Sequence, residues 1–374
     1  MIRQLLEWLR GNGYEVTFLL QGGRLDVETK KLHESLVDSF EHIQQSRKSQ
    51  LPIVEKKRRF LEACSPTGPT MAERKRNRFP WHETREFVVR FCRVEGVRAV
   101  IVQYHFMARV FSKVPGTVLK IIQTHDACSR IVEKIGKKGF DTQDREVSRR
   151  LERSRLEMAD VIVGIEPGEV DYFRSLGVKR DIIRVGFATK QEIQLKSVRK
   201  VKGLVLFYGG NNPLNAVGVN WFISSCWGKV ISRHPHAKLW VAGDVCESVK
   251  TEGFKNIELL GRVDDLSIVI SRAEVIVNPV WLGTGLKIKS IEAVGMGKAL
   301  VTTPEGAVGL DLEGEPLPVK VVKGENEFCA AVYDLLDRPW KVEELEERAL
   351  LHAERYLSFE SVYSPLRKSL EMHE

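Results

Sequence analysis

Two α/β domains, each built on a doubly wound parallel sheet, are predicted by three observations in this chain of 374 residues. From about residue 95, short β-branched runs alternate with segments of helix length, the pattern of parallel strands whose two faces are covered by helices. The alternation stops over 187–200, "FATKQEIQLKSVRK", which is polar and lacks a strong period, and then restarts. Within the second half, strand-like runs end in glycine turns that lead into helices, and in open α/β sheets ligands bind beyond such strand ends.

The elements follow in order. "MIRQLLEWLRGNGYEVTFLL" reads as an amphipathic helix (Ile2, Leu5, Leu6, Leu9), a Gly-Asn-Gly stop and a strand. Residues 40–80 are the least legible part of the chain. "VRAVIVQYH" and "VLKIIQTHD" are strands, and "EVSRRLERSRLEMA" is a long charged helix leading into the strand "DVIVGI". "GEVDYFRSLG" is a helix closed by glycine, followed by the strand "DIIRVG". After the polar linker come "GLVLFYGG", the helix "AVGVNWFISSCWGKVISRH", the strands "AKLWVAG" and "NIELLG", the helix "DLSIVISRA" and the strand "EVIVNP". A helix over 286–297, the strand "ALVTT" and a final amphipathic helix "ESVYSPLRKSLEMHE" complete the reading. The expected domains are 1–190 and 191–355, with a closing helix over 356–374 that packs back on the first domain.

Composition narrows the function classes. A chain that is 43% hydrophobic and 29% charged is an ordinary globular protein. No run of about 18 apolar residues is present, so no membrane-spanning helix is expected. The N-terminus is not a signal peptide, because charged residues break it before any apolar core and no small-residue cleavage site follows. Six scattered cysteines (Cys64, Cys92, Cys128, Cys226, Cys246, Cys329) form no CxxC pair. They suggest neither a zinc site nor a disulfide framework, and a reducing cytoplasm fits them.

The net charge of +8 is uneven: residues 1–190 hold 36 Lys and Arg against 25 Asp and Glu. The excess is densest in "RKSQLPIVEKKRRF" and "AERKRNRF". A solvated basic surface explains it, as does attraction to an anionic membrane face or an anionic lipid-linked substrate. Nucleic acid is disfavoured, because the basic segments carry few aromatics and no RNP, helix-turn-helix or zinc-finger spacing.

The chemistry concentrates in "NPVWLGTGLKIKSIEAVGMGKALVTTPEGAVGL", residues 278–310. It reads as a strand end, a glycine turn (Gly283, Gly285), a helix and a strand. A helix N-terminus presents unpaired N–H groups and partial positive charge, and glycines let an anion approach them. Thr284 adds a hydroxyl and Lys287 a cation, so the turn suits a diphosphate; a purely steric use of the glycines is the alternative. Glu292 is an acid between Ile291 and Ala293 in an apolar helix, and a half-buried acid needs a partner. Either Lys289 supplies it at i,i+3, or two vicinal hydroxyls of a ribose do. "FYGGNN" at 207–212 is a second glycine turn, with Gly209 and Gly210.

The run from 273 to 310 resembles the donor-nucleotide motif of group 1 glycosyltransferases, and a looser similarity extends over about 95–310. The resemblance implies the GT-B fold, two Rossmann-like domains facing each other across a cleft that closes on the substrates. It also implies a typically retaining sugar transfer from a nucleotide-diphosphate sugar. Residue by residue, Glu292 matches the acid that binds the donor ribose. Gly283, Thr284 and Gly285 match the loop at the diphosphate, and Gly209 and Gly210 stand at the turn after the first strand of the second domain. His125, in "THD", matches a histidine near the transferred sugar; Asp126 orients it or binds acceptor.

Three departures from the family pattern matter. The position eight before Glu292 is Thr284 where many members carry a second acid. The turn "GGNNPLNA" lacks the arginine and lysine that often serve the diphosphate, leaving Lys287 and Arg262 to supply charge. The chain also begins with a helix where the family begins with a strand and a glycine loop: either the true start lies upstream or the first domain lacks that strand. These readings predict no cofactor other than the donor, no metal (no DxD-type carboxylate pair occurs), an acceptor such as a lipid-linked glycan, and peripheral contact with anionic membrane in envelope polysaccharide or glycolipid synthesis. The alternatives are a nucleotide-sugar epimerase on the same fold and a truncated, inactive nucleotide-binding paralogue.

Overall fold

The computed structural model describes residues 1–22, 25–44, 80, 82–94, 96–130, 147–190, 198–310 and 316–373. The basic segments at 47–60 and 72–79, and residues 191–197 of the polar linker, lie outside the described residues. Two compact units emerge: Met1–Val185 with Tyr363–Glu374, and Gly186–Val362.

In the first unit, strands β1 (Thr17–Gly22) and β2 (Ser39–Gln44) form a parallel pair of their own. β3 (Ala99–Gln103), β4 (Leu119–Gln123), β5 (Val161–Gly164) and β6 (Asp181–Arg184) form a four-stranded parallel sheet in sequence order. The expected single sheet is therefore two. β2, "SFEHIQ", carries no continuous apolar run and alternates between exposed and half-buried positions, which hid it in the sequence. The centres of β4 and β5 are buried; Ile122 and Ile162 cluster with Leu156 and Phe173, and Ile121 is fully buried. The final helix, Phe359–Glu371, belongs to this unit from Tyr363 onward. Tyr363 stacks on Trp8 with ring centroids 5.0 Å apart, and the Arg367 guanidinium donates to Asn12 Oδ1 at 2.6 Å.

The second unit holds a six-stranded parallel sheet. Its strands are β7 (Leu204–Tyr208), β8 (Lys238–Ala242), β9 (Ile257–Gly261), β10 (Val275–Asn278), β11 (Leu300–Thr302) and β12 (Lys320–Val321). The spatial order is β12-β11-β10-β7-β8-β9. The chain thus builds outward from β7 to one edge, returns to pair β10 with β7, and builds to the other edge. The order reverses between β7 and β10, the place where doubly wound sheets bind ligands. Every residue of β7 and β10 is buried, as a central strand covered on both faces requires. Phe207, Phe222, Trp227 and Phe328 fill one face of the sheet. The helix predicted over 216–234 is a continuous run from Pro213 to Arg233 whose middle turn, Phe222–Trp227, is a π-helix. The helices Gly324–Asp337 and Pro339–His352 follow β12 and close the unit. Among the described residues no helix is long and apolar enough to cross a membrane.

The ends of β7 and β8 approach so closely that glycine is obligatory. Gly243 has φ +92°, and a Cβ there would stand 2.4 Å from the Gly209 carbonyl oxygen. Gly243→Ala should therefore destabilise the second unit by roughly 2–4 kcal/mol, combining strained backbone with a backbone clash. Gly210→Ala, where a Cβ meets nothing within 4 Å, is the control and should change stability by no more than about 0.5 kcal/mol. Urea unfolding of the two variants reads the contrast, and equal stabilities would contradict it.

Candidate functional site

Two loops meet at the strand-order reversal of the second unit. The loop after β10 turns through Gly283 and Gly285, the latter at φ +65°, and enters the helix Ile288–Gly295 at Lys287. No side chain caps that helix; Lys287 N–H donates to Val308 O and Ser290 N–H to Lys287 O, which leaves the Ile288 and Lys289 N–H groups for an anion. The Lys287 ammonium is buried. It donates to the Gly285 carbonyl at 2.9 Å and pairs with Glu305 Oε1 at 2.8 Å. It also fills the space beside Gly283, where a Cβ would lie 3.2 Å from Nζ. Glu305 comes from the loop after β11, so a second glycine-containing loop is tied to the first by an ion pair. The Thr284 hydroxyl makes no hydrogen bond among the described residues.

The turn after β7 is built by its own side chains. Asn212 caps the helix Pro213–Trp221, its Oδ1 accepting from Asn215 N at 2.9 Å. Asn215 Nδ2 donates to the Gly210 carbonyl at 2.9 Å. Onto this turn reaches Lys289, from the helix that follows the other glycine loop. Its ammonium donates to Asn215 Oδ1 and sits 4.7 Å from the centroid of the Phe207 ring. A Cβ on Gly209 would stand 3.2 Å from Lys289 Nζ and 2.8 Å from Asn215 Nδ2. Sequence reasoning found the glycines, named Lys289 only as a partner for Glu292, and missed Asn215. The signal was present, since a lysine two residues after Lys287 opens the same helix.

Glu292 lies one turn further along that helix and is half-buried. Among the described residues its carboxylate has no hydrogen bond and no ion pair; Lys289 acts on it only through space. Burial raises its pKa above the usual carboxylate value, and the Lys289 charge pulls it back. Beneath both, the Tyr208 hydroxyl donates to the Lys289 carbonyl at 2.6 Å, and burial holds that phenol well above its ordinary pKa. Lys289 is pushed down to about 7 by burial and by repulsion from Lys287. Arg262 stands apart from this cluster in its bonding. Its exposed guanidinium grips the Asp244 carboxylate with two hydrogen bonds, of 3.1 and 2.9 Å. Its charge is thereby shared with an acid.

In the first unit, His125 follows β4. Its Nε2 lies 2.7 Å from Gln103 Oε1, and its ring lies 4.4 Å from that of Tyr104. Tyr104 has φ +66°, a strained conformation for a bulky residue at a strand end. Asp126 follows His125, and its charge adds to the rise of Glu169. Glu169 is buried and accepts from Ile165 N at 2.7 Å and from Thr124 Oγ1 at 3.0 Å; burial nonetheless raises its pKa to about 8. A group of metal-ligating composition, His105, Cys128 and Glu152, lies buried nearby in sequence. Glu152 already takes the N–H groups of Cys128 and Ser129 and the Ser129 hydroxyl. Its oxygens thus anchor the 128–130 turn.

Burial lowers the His125 pKa from 6.5 to about 4. The unfolded chain therefore takes up this proton first as pH falls, and the histidine's contribution to stability is lost from about pH 6.5 toward 4. An NMR titration of the imidazole should find a midpoint near 4, with a neutral ring throughout the neutral range. A midpoint near 6.5 would remove the argument for a buried, neutral histidine.

Comparisons with known proteins bear on the fold and on the second unit. Residues 202–338 match the family model described as Glycosyl transferases group 1. Sucrose-phosphate synthase from Thermosynechococcus elongatus superposes with a TM-score of 0.68 at 16% identity, covering 99% of this chain and 92% of that one. HepE from Anabaena, in complex with UDP and glucose, gives 0.66 at 9% identity over 98% of this chain and 95% of its own. The N-terminal domain of Candida albicans trehalose-6-phosphate phosphatase gives 0.62 at 10%, over 100% and 92%. At such identities the superpositions speak for the fold alone. No curated protein matches the chain in sequence. Residues 202–338 of the chain thus resemble the group 1 glycosyltransferases in sequence, and its fold is GT-B, with two Rossmann-like units.

Proposed function

We propose that this chain is a glycosyltransferase that takes its sugar from a nucleotide-diphosphate sugar held by the second unit and transfers it to an acceptor hydroxyl. One observation carries the reading: Glu292, a half-buried carboxylate with no hydrogen bond or ion pair among the described residues, shares one short helix with two cations, Lys287 and Lys289. A nucleoside diphosphate supplies two vicinal hydroxyls for the acid and negative charge beside the lysines, of which Lys287 is already paired with Glu305. HepE, a structural neighbour, was solved with UDP and glucose, which supports a nucleotide sugar as the donor class.

In this reading the diphosphate lies against the Gly283–Gly285 turn. Backbone N–H groups of the uncapped helix and the Thr284 hydroxyl donate to its oxygens. As the glycosidic bond to the diphosphate breaks, charge grows on the leaving oxygens, and preorganised donors with the Lys287 ammonium stabilise it. These cations do the work a metal would otherwise do, so the transfer is metal-independent and needs no further cofactor. Arg262, bonded to Asp244, becomes a donor contact only by exchanging that partner. In the first unit His125, neutral at physiological pH, is assigned to the transferred sugar and Asp126 to the acceptor. Retention of configuration follows the family's habit.

The acceptor class is a lipid-linked or polysaccharide hydroxyl in envelope polysaccharide or glycolipid synthesis, handled in the cytoplasm at the inner membrane face. The basic excess of residues 1–190 supports it, since anionic headgroups attract such a surface. Vesicles rich in anionic lipid should retain the protein at low salt and release it at high salt. Retention indifferent to salt would count against membrane attraction.

The donor site is tested by thermal unfolding with UDP, GDP and ADP. One nucleotide should raise the midpoint by mass action. Glu292→Ala should remain folded and bind that nucleotide about tenfold more weakly or worse. A folded wild-type chain that binds none of the three, or a variant with undiminished affinity, would overturn the assignment.

A further inference from the structure

Lys289 is a half-buried lysine without a counter-ion. Among the described residues no carboxylate comes within ion-pair distance of its ammonium. Its contacts are the Asn215 amide oxygen, the face of Phe207 and the Gly209 backbone. The charged and titratable groups around it are few. Lys287 and Glu292 act on it from its own helix. β7 contributes Tyr208, whose hydroxyl is spent on the Lys289 carbonyl. The helix Pro213–Trp221 contributes only the neutral Asn215, and the loop after β11 contributes Glu305, which is committed to Lys287.

An unpaired cation inside a protein is costly unless something compensates it. A neutral hydrogen-bond donor would satisfy the Asn215 amide oxygen without burying a charge. The position is informative. Lys289 stands at the Gly209–Gly210 turn, the strand end where the sequence carries no cation of its own.

We infer that Lys289 and Asn215 form the anion-recognition pair of the Gly209–Gly210 turn, taking the donor's diphosphate, and that the lysine is charged by proton uptake as the diphosphate binds. This rests on the nucleotide-sugar reading above. The neutral amine takes its proton from solvent, and the ammonium that results pairs with a phosphate oxygen; no bond of the nucleotide is made or broken in this step. The bound anion supplies the missing counter-charge. Asn215 Nδ2 is committed to Gly210, so Asn215 aims the ammonium through its Oδ1 and does not itself contact the phosphate. Near neutral pH the free lysine stands at the middle of its titration, because burial and Lys287 hold its pKa to about 7.

The test is calorimetric titration of the full chain with UDP, GDP and ADP, and with inorganic pyrophosphate as a probe that carries no base. Above about pH 7 a terminal nucleotide phosphate is already fully ionised. Affinity that still falls between pH 7.5 and 9, with proton uptake in buffers of different ionisation heat, then reports the lysine. The expected result is uptake by the wild type, its loss in Lys289→Gln with about a tenfold to hundredfold weaker affinity, and affinity without uptake in Lys289→Arg. Below pH 7, where the unpaired lysine is mostly charged, Lys289→Gln should also raise the melting temperature of the free protein, since it removes a half-buried charge without a counter-ion. Binding without uptake by the wild type, or unchanged affinity in Lys289→Gln, overturns the inference. Pyrophosphate binding that depends on Lys289, with no nucleotide bound, would sink the nucleotide reading and leave this pair standing. Nucleotide binding indifferent to Lys289 would do the reverse.

Discussion

The pairing of β10 with β7 is the constraint on which the candidate site depends. Val275 and Ile276 lie beside Val205 and Leu206, so two strand ends far apart in sequence emerge side by side. Each is followed by a glycine turn and a helix. A helix N-terminus attracts an anion weakly when alone. Two turns at one place, with side chains crossing between them, make a site whose parts come from different elements. Gly243 permits the arrangement, because any side chain there would collide with the Gly209 carbonyl and push β8 away from β7.

The electrostatics of this corner run against stability. Lys287 is satisfied by Glu305, but Lys289 repels it from two residues away and has only a neutral partner. Glu292 is close enough to influence Lys289 and yet forms no ion pair with it. A protein selected only to fold would bring these two charges together or remove both. Keeping an acid and a lysine half-buried, near one another and apart, is the pattern of a site whose missing partner is a ligand. Local conflict of this kind is expected where function overrides packing.

Much of the fold was legible in the sequence, because nine of the twelve strands among the described residues are short apolar runs flanked by turns. The other three differ, each for its own reason. β2 is mostly polar, β12 spans only Lys320–Val321, and β1 was foreseen but pairs with β2 outside the main sheet. The glycines of the site and Glu292 were visible from residue type alone. Lys289 was not, because helical spacing makes Glu292 its natural partner at i,i+3. Side chains on a helix lean toward its N-terminus, so a long side chain at 289 covers the turn before it and not the one after. The ammonium accordingly leaves Glu292 behind and arrives at Asn215. Arg262 shows the opposite failure: the sequence offers a cation near a strand end, and a neighbouring acid, Asp244, takes it.

That Lys289 serves the turn after β7 explains why that turn can lack basic residues. Charge is needed at a point in space, and at the strand-order reversal that point can be reached from either loop. Moving the cation to the second loop has a structural consequence. Its ammonium and the Asn215 amide occupy the volume that a Cβ at 209 would take. Gly209, Asn215 and Lys289 therefore form one unit: the glycine leaves the space, the lysine fills it, and the asparagine aims the charge. A change at any one of the three alters what the other two can do, which separates this trio from glycines kept only for a tight turn.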